Sequence, residues 1–331
     1  MKRWLVKILL VCALLWGGWW WIATGAMQKG LDAFWQGQRD SGLDVTVAQA
    51  ARSGFPLRIG TTLRDITLSD PAAQTALKIP HISIASPVYW PGDVAVTLPA
   101  EPITFTAAQG PLTLMSDGMQ ADLNLHPGTA LALEAMRGKA RAVTLDAVEG
   151  RVLSVEEIAT DVIQTTAPET YAISLVATGV APGSLIRQGL QVPDAWADSF
   201  APILADIVVT FDRPWDRSAL RNSRPQPRVI TINQLTAEWD QLGFEISGNL
   251  NVDNNGVPTG DVRVQVRNWQ RIFNMITDST DVPAQWTSTI ESVLGAMSDA
   301  QGTLDLPVTL QNGQMRVGFF PLGPAPRIVI R

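Results

Sequence analysis

Apolar residues form one long unbroken run at the amino terminus and short alternating runs through most of the remaining chain. The long run covers residues 8–27 and carries no charge. Three basic residues precede or border it: Lys2, Arg3 and Lys7. A bilayer core of about 30 Å requires roughly 20 apolar residues in a helix, and basic flanks stay on the cytoplasmic side. The pattern therefore predicts a cytoplasmic segment over 1–7, a transmembrane signal-anchor over 8–27, and export of everything that follows.

The uncharged run is also rich in tryptophan, at Trp16, Trp19, Trp20 and Trp21. Indole rings favour the membrane–water interface, and the run is longer than the 7–15 apolar residues typical of a cleaved signal. We therefore expect a single-pass inner-membrane protein whose carboxy-terminal domain lies in the periplasm. Cleavage after Gly25 or Ala26, which would leave a free periplasmic protein, is the alternative.

Helical spacing continues beyond the anchor and then gives way to alternation. Leu31, Phe34 and Trp35 share one helical face and Gly42 follows, so residues 28–42 are predicted to form a juxtamembrane helix. From residue 43 onward, apolar and polar residues alternate in short runs separated by Pro, Gly, Asp and Ser, which is typical of antiparallel strands. Residues 43–331 are thus predicted to form a mainly β periplasmic domain with minor α content, an extended, twisted antiparallel sheet with covering helices.

Segments whose apolar residues recur at three and four positions interrupt the predicted strands. These helices are predicted over 182–188, 194–205, 268–277 and 283–297. Residues 130–136 have helical composition, but their alternation favours a strand. A last strand is predicted over 327–330.

Arginine and proline are concentrated in residues 212–228. The arginines are Arg213, Arg217, Arg221, Arg224 and Arg228, and the prolines are Pro214, Pro225 and Pro227. This composition predicts a linker or an exposed crossing loop, where the periplasmic domain is subdivided. A solvated loop is the simpler interpretation, and binding of a phosphate or lipid headgroup is the alternative.

Net charge and cysteine content limit the classes of partner and of covalent cross-link that the chain can have. The net charge of −6 argues against a nucleic-acid partner. Cys12 is the only cysteine and lies within the anchor, so the exported part has no disulfide. A domain of this size buries an adequate core without one.

Candidate chemical motifs are weak. Residues 251–256 resemble the start of a calcium-binding loop, but Asn251 and Val262 occupy positions where such loops carry carboxylates, so a hairpin turn is favoured. His81 and His126 have no companion ligand at metal-binding spacing. No nucleophile-elbow, Ser-x-x-Lys or phosphate-loop pattern occurs. We therefore assign no catalytic residue, no metal and no cofactor, and expect a protein that is not an enzyme.

Three short patterns carry a resemblance to a known family. They are Ser53-Gly54-Phe55-Pro56-Leu57-Arg58, Tyr89-Trp90-Pro91, and the closing stretch over 310–326. With these patterns the chain resembles the bacterial domain-of-unknown-function family 2125, whose members are membrane-anchored periplasmic proteins. The closing strand–turn–strand is similar, more weakly, to AsmA-like envelope proteins linked to lipid transport. The family has no established activity, so the resemblance implies no functional residue.

Three hypotheses follow for the function. The first is a non-enzymatic, inner-membrane-anchored envelope protein that binds lipid or acts in envelope assembly. The second is an envelope scaffold or protein-interaction module. The third is a periplasmic hydrolase. The partners expected are the inner membrane and either lipid or an envelope protein.

Overall fold

The computed structural model of the protein describes residues 2–40, 42–90, 92–108, 110–220, 224–279 and 291–330. Of the helical residues 2–6, 8–10, 12, 275, 276, 278 and 279 it describes the backbone alone. The predictions that involve Pro91, Arg221, Arg331 and residues 283–290 lie outside this part, as do the side chains of Lys2, Arg3 and Cys12.

Antiparallel strands make up most of the chain, which confirms the mainly β fold class with minor α. The strands are β1 (Asp44–Ser53), β2 (Arg58–Asp70), β3 (Thr75–Pro87), β4 (Asp93–Leu98), β5 (Ile103–Ala107), β6 (Gly110–Met115), β7 (Gly118–Leu125), β8 (Leu133–Ala147), β9 (Gly150–Gln164), β10 (Thr170–Thr178), β11 (Ala181–Pro182), β12 (Ile203–Phe211), β13 (Pro227–Trp239), β14 (Leu242–Val252), β15 (Pro258–Arg267), β16 (Thr303–Gln311), β17 (Gln314–Val317) and β18 (Phe320–Pro324). The helices are α1 (Lys2–Asp40), α2 (Ser184–Gly189) and α3 (Trp269–Ser279), with a 3-10 turn at Arg217–Leu220 and a helical stretch over 291–296.

The helix α1 is continuous through the predicted anchor and juxtamembrane regions. It ends as the sequence predicts, because Gly42 adopts a φ of +95° that residues with a side chain rarely adopt. The amides of Gly42 and Leu43 donate to the carbonyls of Arg39 and Gln38, at 3.0 and 3.2 Å. These two bonds satisfy carbonyls that the helix end would otherwise leave free.

Among the described residues, no helix combines the length and apolar character that crossing a membrane requires. The anchor over 8–27 therefore stays a prediction from the sequence.

The chain divides into two compact units. The first comprises Met1–Gly138 and Asp216–Ser223, and the second comprises Lys139–Trp215 and Arg224–Arg331. The arginine-rich segment 212–228 thus contains the short stretch that returns to the first unit.

The first unit is built on three long neighbouring strands, in which β1 pairs with β2 and β2 with β3. The two halves of β3 then pair with different partners, β4 near Ser83–Ala85 and β5 near Ala76–Lys78. The core consists of Leu63, Ile66, Ile79 and Ile103, against which Trp35 of α1 packs. The juxtamembrane part of α1 is therefore a structural element of this unit.

The second unit is a meander in which β9, β10 and β12 to β18 pair successively and antiparallel. The helix α3 covers part of the sheet, since Trp269 packs with Val266 and Leu304. Ile272 and Phe273 of α3 and Leu294 and Met297 join this cluster. The covering helix predicted over 268–277 is therefore confirmed, and so is the helical character of 291–296.

Three predicted segments need correction or refinement. Residues 194–205 are not helical: 194–202 are irregular, and β12 begins at Ile203 because its backbone pairs with β13. Residues 327–330 are not a strand, since the amide of Ile330 donates to the Gln226 side chain at 2.9 Å. In 130–136 the strand interpretation is right from Leu133 onward, where β8 begins.

Candidate functional site

The tryptophans predicted to anchor the chain divide between two environments on α1. Trp16, Trp19 and Trp21 are 39%, 54% and 63% exposed, whereas Trp20 is half-buried. Lys7, the predicted cytoplasmic flank, is exposed near the start of the helix. The sequence treats the four indoles alike, whereas the structure exposes three of them and partly buries Trp20.

Two of these indoles hold the turn that joins β1 to β2. We call residues 54–57 the hairpin tip. The Trp16 Nε1–H donates to the carbonyl of Pro56 at 2.8 Å, and the Trp20 Nε1–H donates to the carbonyl of Arg58 at 2.6 Å. The Phe55 ring meets the Trp20 ring edge-on, with centroids 5.3 Å apart. The predicted anchor and the first β-hairpin are therefore one packed assembly.

A cationic side chain lies just behind the tip. The Arg52 guanidinium stacks on the Trp21 ring at 3.9 Å from its centroid. Its Nε–H also donates to Gln28 Oε1 at 3.1 Å. These contacts extend the packing of β1 along α1, and they set the guanidinium next to the exposed indole.

A second turn brings another exposed aromatic residue to the same place. The amide of Val88 donates to the carbonyl of Leu57 at 3.0 Å, so the turn after β3 lies beside the hairpin tip. Phe55, Leu57 and Tyr89 are 61%, 69% and 81% exposed. Together with Trp16 and Trp19 they form what we call the apolar rim. Apolar surface gathered in this way marks sites that contact a membrane or a partner.

Sequence reasoning found only the tryptophans of this rim. Phe55, Leu57 and Tyr89 belong to two of the sequence patterns that carry the family resemblance. The available signal was chemical: Gly54-Phe55-Pro56-Leu57 is a turn with two large apolar residues where a surface turn usually carries polar ones.

A small polar pocket also lies in the first unit. It has a volume of about 280 Å³ and is lined by Trp90, Asp93, Asn124, Leu125, Pro127, Glu134 and Ala135. The Asn124 amide donates to Asp93 Oδ1 at 2.9 Å. His126 Nδ1 lies 4.0 Å from Glu134 Oε2, with both side chains about half exposed. Two carboxylates and a histidine therefore meet here in a solvated setting, where such pairs contribute little energy.

The other histidine lies apart from this pocket's lining. His81 Nδ1 is 3.5 Å from Glu101 Oε2. Within the described ranges, no group of three or more His, Cys, Asp or Glu side chains is placed to hold a metal ion.

The calcium-like sequence over 251–256 is a hairpin turn, as predicted, and it joins β14 to β15. Asp253 Oδ1 accepts the backbone amides of Asn255 and Val257, each at 2.8 Å. The amide of Val257 in particular lowers the pKa of Asp253 below its ordinary 3.8. The second predicted turn is also confirmed, since Asn312 and Gly313 connect β16 to β17 with φ values of +53° and +72°.

The arginine-rich segment contacts other parts of the protein. Arg228 Nη2 lies 3.5 Å from Asp212 Oδ2, and Arg228 Nη1 donates to the carbonyl of Asp253 at 2.7 Å. The amide of Arg217 donates to the carbonyl of Ala130 at 3.0 Å. The segment is largely irregular, as expected of a crossing loop, and the described contacts of Arg228 are with protein groups.

A second exposed apolar surface lies in the second unit, around β18. Phe319 is fully exposed, and Phe320 and Leu322 are 57% and 56% exposed. The three residues lie at or next to a short strand whose described partner is β17.

Comparison with known proteins places the chain in a family without adding a function. No curated protein matches the sequence. The comparisons give no support to the weaker AsmA-like resemblance. A family model, in contrast, matches residues 19–326, which is most of the chain. The chain belongs to this family, DUF2125, described as uncharacterized proteins conserved in bacteria.

Proposed function

We propose that the protein is a non-enzymatic component of the bacterial envelope, anchored in the inner membrane by residues 8–27 and exposing its β-rich domain to the periplasm. On this proposal it binds membrane lipid through its first unit and acts in envelope assembly. The observation that carries the proposal is the apolar rim, where anchor tryptophans and the hairpin tip share one surface.

The chemistry of the rim supports lipid as the ligand. Its exposed groups are indoles, a phenol and aliphatic or phenyl side chains, and indoles and phenols favour the membrane interface. Arg52 sets a cation beside this surface, where lipid headgroups carry phosphate. The described pocket, in contrast, is lined by Asp93, Asn124 and Glu134 and suits an acyl chain poorly.

Membrane fractionation tests the anchoring. Full-length protein expressed in a Gram-negative host should stay in the membrane pellet after alkaline carbonate extraction, with the intact mass of 35.8 kDa. A soluble periplasmic species that begins after Gly25 or Ala26 would overturn the anchor and favour the cleaved alternative.

Lipid binding is tested separately by native mass spectrometry of the protein released from membranes in mild detergent. Retained phospholipid is the expected result, reduced in the double variant Phe55→Ser, Leu57→Ser. A spectrum without bound lipid in both proteins would contradict lipid binding.

A scaffold or protein-interaction role is the second candidate, because Phe319, Phe320 and Leu322 expose an apolar strand region. Strand addition to a sheet edge is a common mode of partner binding. A photo-crosslinking amino acid at Phe320 should then give a discrete adduct in cells, and the same group at Val148, which is 75% exposed, should not.

A hydrolase is the third candidate, and the polar pocket is the one observation in its favour. Asp93 and Glu134 have the chemistry of a general acid and base. If the protein hydrolyses any ester or glycoside, Glu134→Gln should abolish the activity while leaving thermal unfolding unchanged.

A further inference from the structure

The contacts between α1 and the first hairpin constrain how deep the chain sits in a membrane. Trp16 and Trp20 are bonded to the carbonyls of Pro56 and Arg58. Whatever depth Trp16 occupies, the hairpin tip occupies it too. The position of the outer membrane boundary on α1 therefore decides whether the tip lies in lipid or in water.

An outer boundary at Met27 conflicts with these contacts. An α-helix rises 1.5 Å per residue, so Trp16 would lie about 16 Å below Met27, near the middle of the bilayer. The backbone of the tip and the guanidiniums of Arg52 and Arg58 would then be drawn into hydrocarbon. Unpaired backbone groups and charges are costly there.

A boundary at Trp19–Trp21 removes the conflict. From Trp4 to Trp21 the helix is about 27 Å long, close to the thickness of a bilayer core. The span is then shifted towards the amino terminus from the predicted 8–27. Lys7 lies about one turn inside the cytoplasmic boundary, where a lysine side chain reaches the headgroups. Among the described residues, the large exposed apolar side chains of α1 end at this level, with Trp19, Trp21 and Ile22, while Lys29 and Asp32 further along are exposed. Indoles at the boundary match their interfacial preference.

With the boundary at that level, the tip lies at a shallow depth. Trp16 is four residues below Trp20, or about 6 Å. This is within the roughly 5–10 Å to which interfacial segments bury their apolar faces. Phe55 and Leu57, more than half exposed to solvent in the isolated protein, would face acyl chains, and Tyr89 would lie beside them.

We propose that the outer membrane boundary lies at Trp19–Trp21 and that the hairpin tip, with Phe55 and Leu57, inserts into the outer leaflet as a second membrane contact. The occupant of the apolar rim is thus the bilayer surface around the anchor. Arg52, stacked on Trp21, then lies at headgroup level. This inference rests on the proposed function, because it needs the anchor to be in a membrane.

Depth-dependent fluorescence quenching tests the inference on the full-length chain. Cys12→Ser removes the only cysteine, and a single cysteine is then introduced at Leu57 and labelled with an environment-sensitive fluorophore. The protein is reconstituted in vesicles of phosphatidylethanolamine and phosphatidylglycerol, with spin-labelled lipids carrying the quencher either near the headgroup or near the chain end. We expect quenching at Leu57 to be about twofold stronger with the shallow quencher than with the deep one.

Two matched positions make the outcome decisive. Leu14→Cys lies within the anchor and is 72% exposed, so it should be quenched, with the deep label more effective than at Leu57. Phe105→Cys lies on β5, which pairs near Leu77 of β3. That position is ten residues from Pro87, or about 33 Å along the strand, and should not be quenched.

The results separate the two proposals. Quenching at Leu14 without quenching at Leu57 would overturn the inserted tip while keeping the anchor. No quenching at Leu14 would overturn the anchor, and the inserted tip with it. Equal quenching at Leu57 and Phe105 would mean that the whole unit lies on the membrane, against a local contact at the tip. As a control, each labelled variant should unfold at the same temperature as the unlabelled protein, which shows that it is correctly folded.

Discussion

Glycine at position 256 is required by the conformation of the β14–β15 turn. Gly256 has a φ of +77°, and a Cβ there would collide with the Val329 side chain and lie 2.9 Å from the carbonyl of Ile328. We expect Gly256→Val to lower the free energy of unfolding by more than the roughly 1–3 kcal/mol of backbone strain alone. Urea unfolding of the two proteins measures the difference.

The second hairpin turn supplies the matched control. Gly313 has a similar φ of +72°, but its nearest contact for an added Cβ is Val257 Cγ1 at 3.9 Å. Gly313→Val should therefore show the strain without the collision and destabilise less than Gly256→Val. An equal decrease in the free energy of unfolding in both variants would mean that residues 328–329 move aside without an energetic penalty.

Asp253 makes the same turn sensitive to acid. Its carboxylate accepts two backbone amides, and the lowered pKa means that the folded state prefers the ionised form. A carboxyl group whose pKa is depressed by folding stabilises the protein above its ordinary pKa, and that contribution is lost as the pH falls through the folded value.

We therefore expect the free energy of unfolding of the wild-type protein to fall relative to that of Asp253→Asn as the pH is lowered through and below 3.8, the ordinary pKa of this carboxyl group. The asparagine side chain keeps an oxygen acceptor for the amides but does not titrate in this range. Unfolding curves of both proteins across the range give the comparison. A constant difference between them would show that the charge of Asp253 adds nothing to the turn.

The role of a single residue could be predicted from the sequence only where neighbouring residues in the chain determine it. The turns at 253–256 and 312–313 were predictable, because Asn and Gly report directly on the backbone conformation they allow. The separate roles of Trp16 and Trp19 were not predictable, because they depend on which side of α1 receives the β1–β2 hairpin. That information lies in the tertiary packing.

At the scale of elements, the segment before β12 shows how tertiary contacts override a helical pattern. Trp196 and Phe200 have helical spacing, yet both pack on Trp239 of β13 from an irregular segment, with ring centroids 5.1 and 5.0 Å away. The Trp239 Nε1–H donates to the carbonyl of Ala197 at 2.8 Å. The same apolar residues pack against the sheet without forming a helix. From Ile203 onward the backbone pairs with β13 as strand β12.

Trp239 should accordingly be the residue that orders this segment. We expect Trp239→Ala to reduce stability by about 3–5 kcal/mol, because it empties the site between two aromatic rings. Amide hydrogen exchange should rise selectively over 194–202. Trp239→Phe retains a ring but not the bond to Ala197, so its loss should be closer to about 1 kcal/mol. Exchange that rises evenly across the second unit in Trp239→Ala would contradict a local ordering role.

The strands were easier to predict than the irregular segments between them. Alternation over 229–266 located β13, β14 and β15 to within a few residues, because a half-buried antiparallel strand imposes period two on its side chains. Residues 327–330 are rich in β-branched residues, as strands are, but do not form a strand. Their backbone is held by Gln226 and by the carbonyl of Gly256.

At the scale of the whole molecule, the mainly β fold class could be predicted because the alternation of apolar and polar residues recurs in many segments. A wrong assignment of one segment does not change that result. The division into two units was harder, since it depends on residues 216–223 returning to the first unit. The apolar rim was the least predictable feature. It joins residues from α1, the hairpin tip and the turn after β3, and those residues are up to 73 positions apart in the chain, from Trp16 to Tyr89.

Topology is the prediction on which the proposed function depends. Lys2, Arg3 and Lys7 lie before or at the border of an uncharged run, so the amino terminus should stay in the cytoplasm and both units should be exported. Alkaline phosphatase fused after Arg331 should be active, because that enzyme matures only in the periplasm, and a cytoplasmic reporter at the same place should be silent. Replacing the three basic residues by glutamate should weaken this orientation, because the positive charges that hold the amino terminus inside are lost. An active cytoplasmic reporter on the unaltered chain would reverse the orientation and place the apolar rim against the other leaflet.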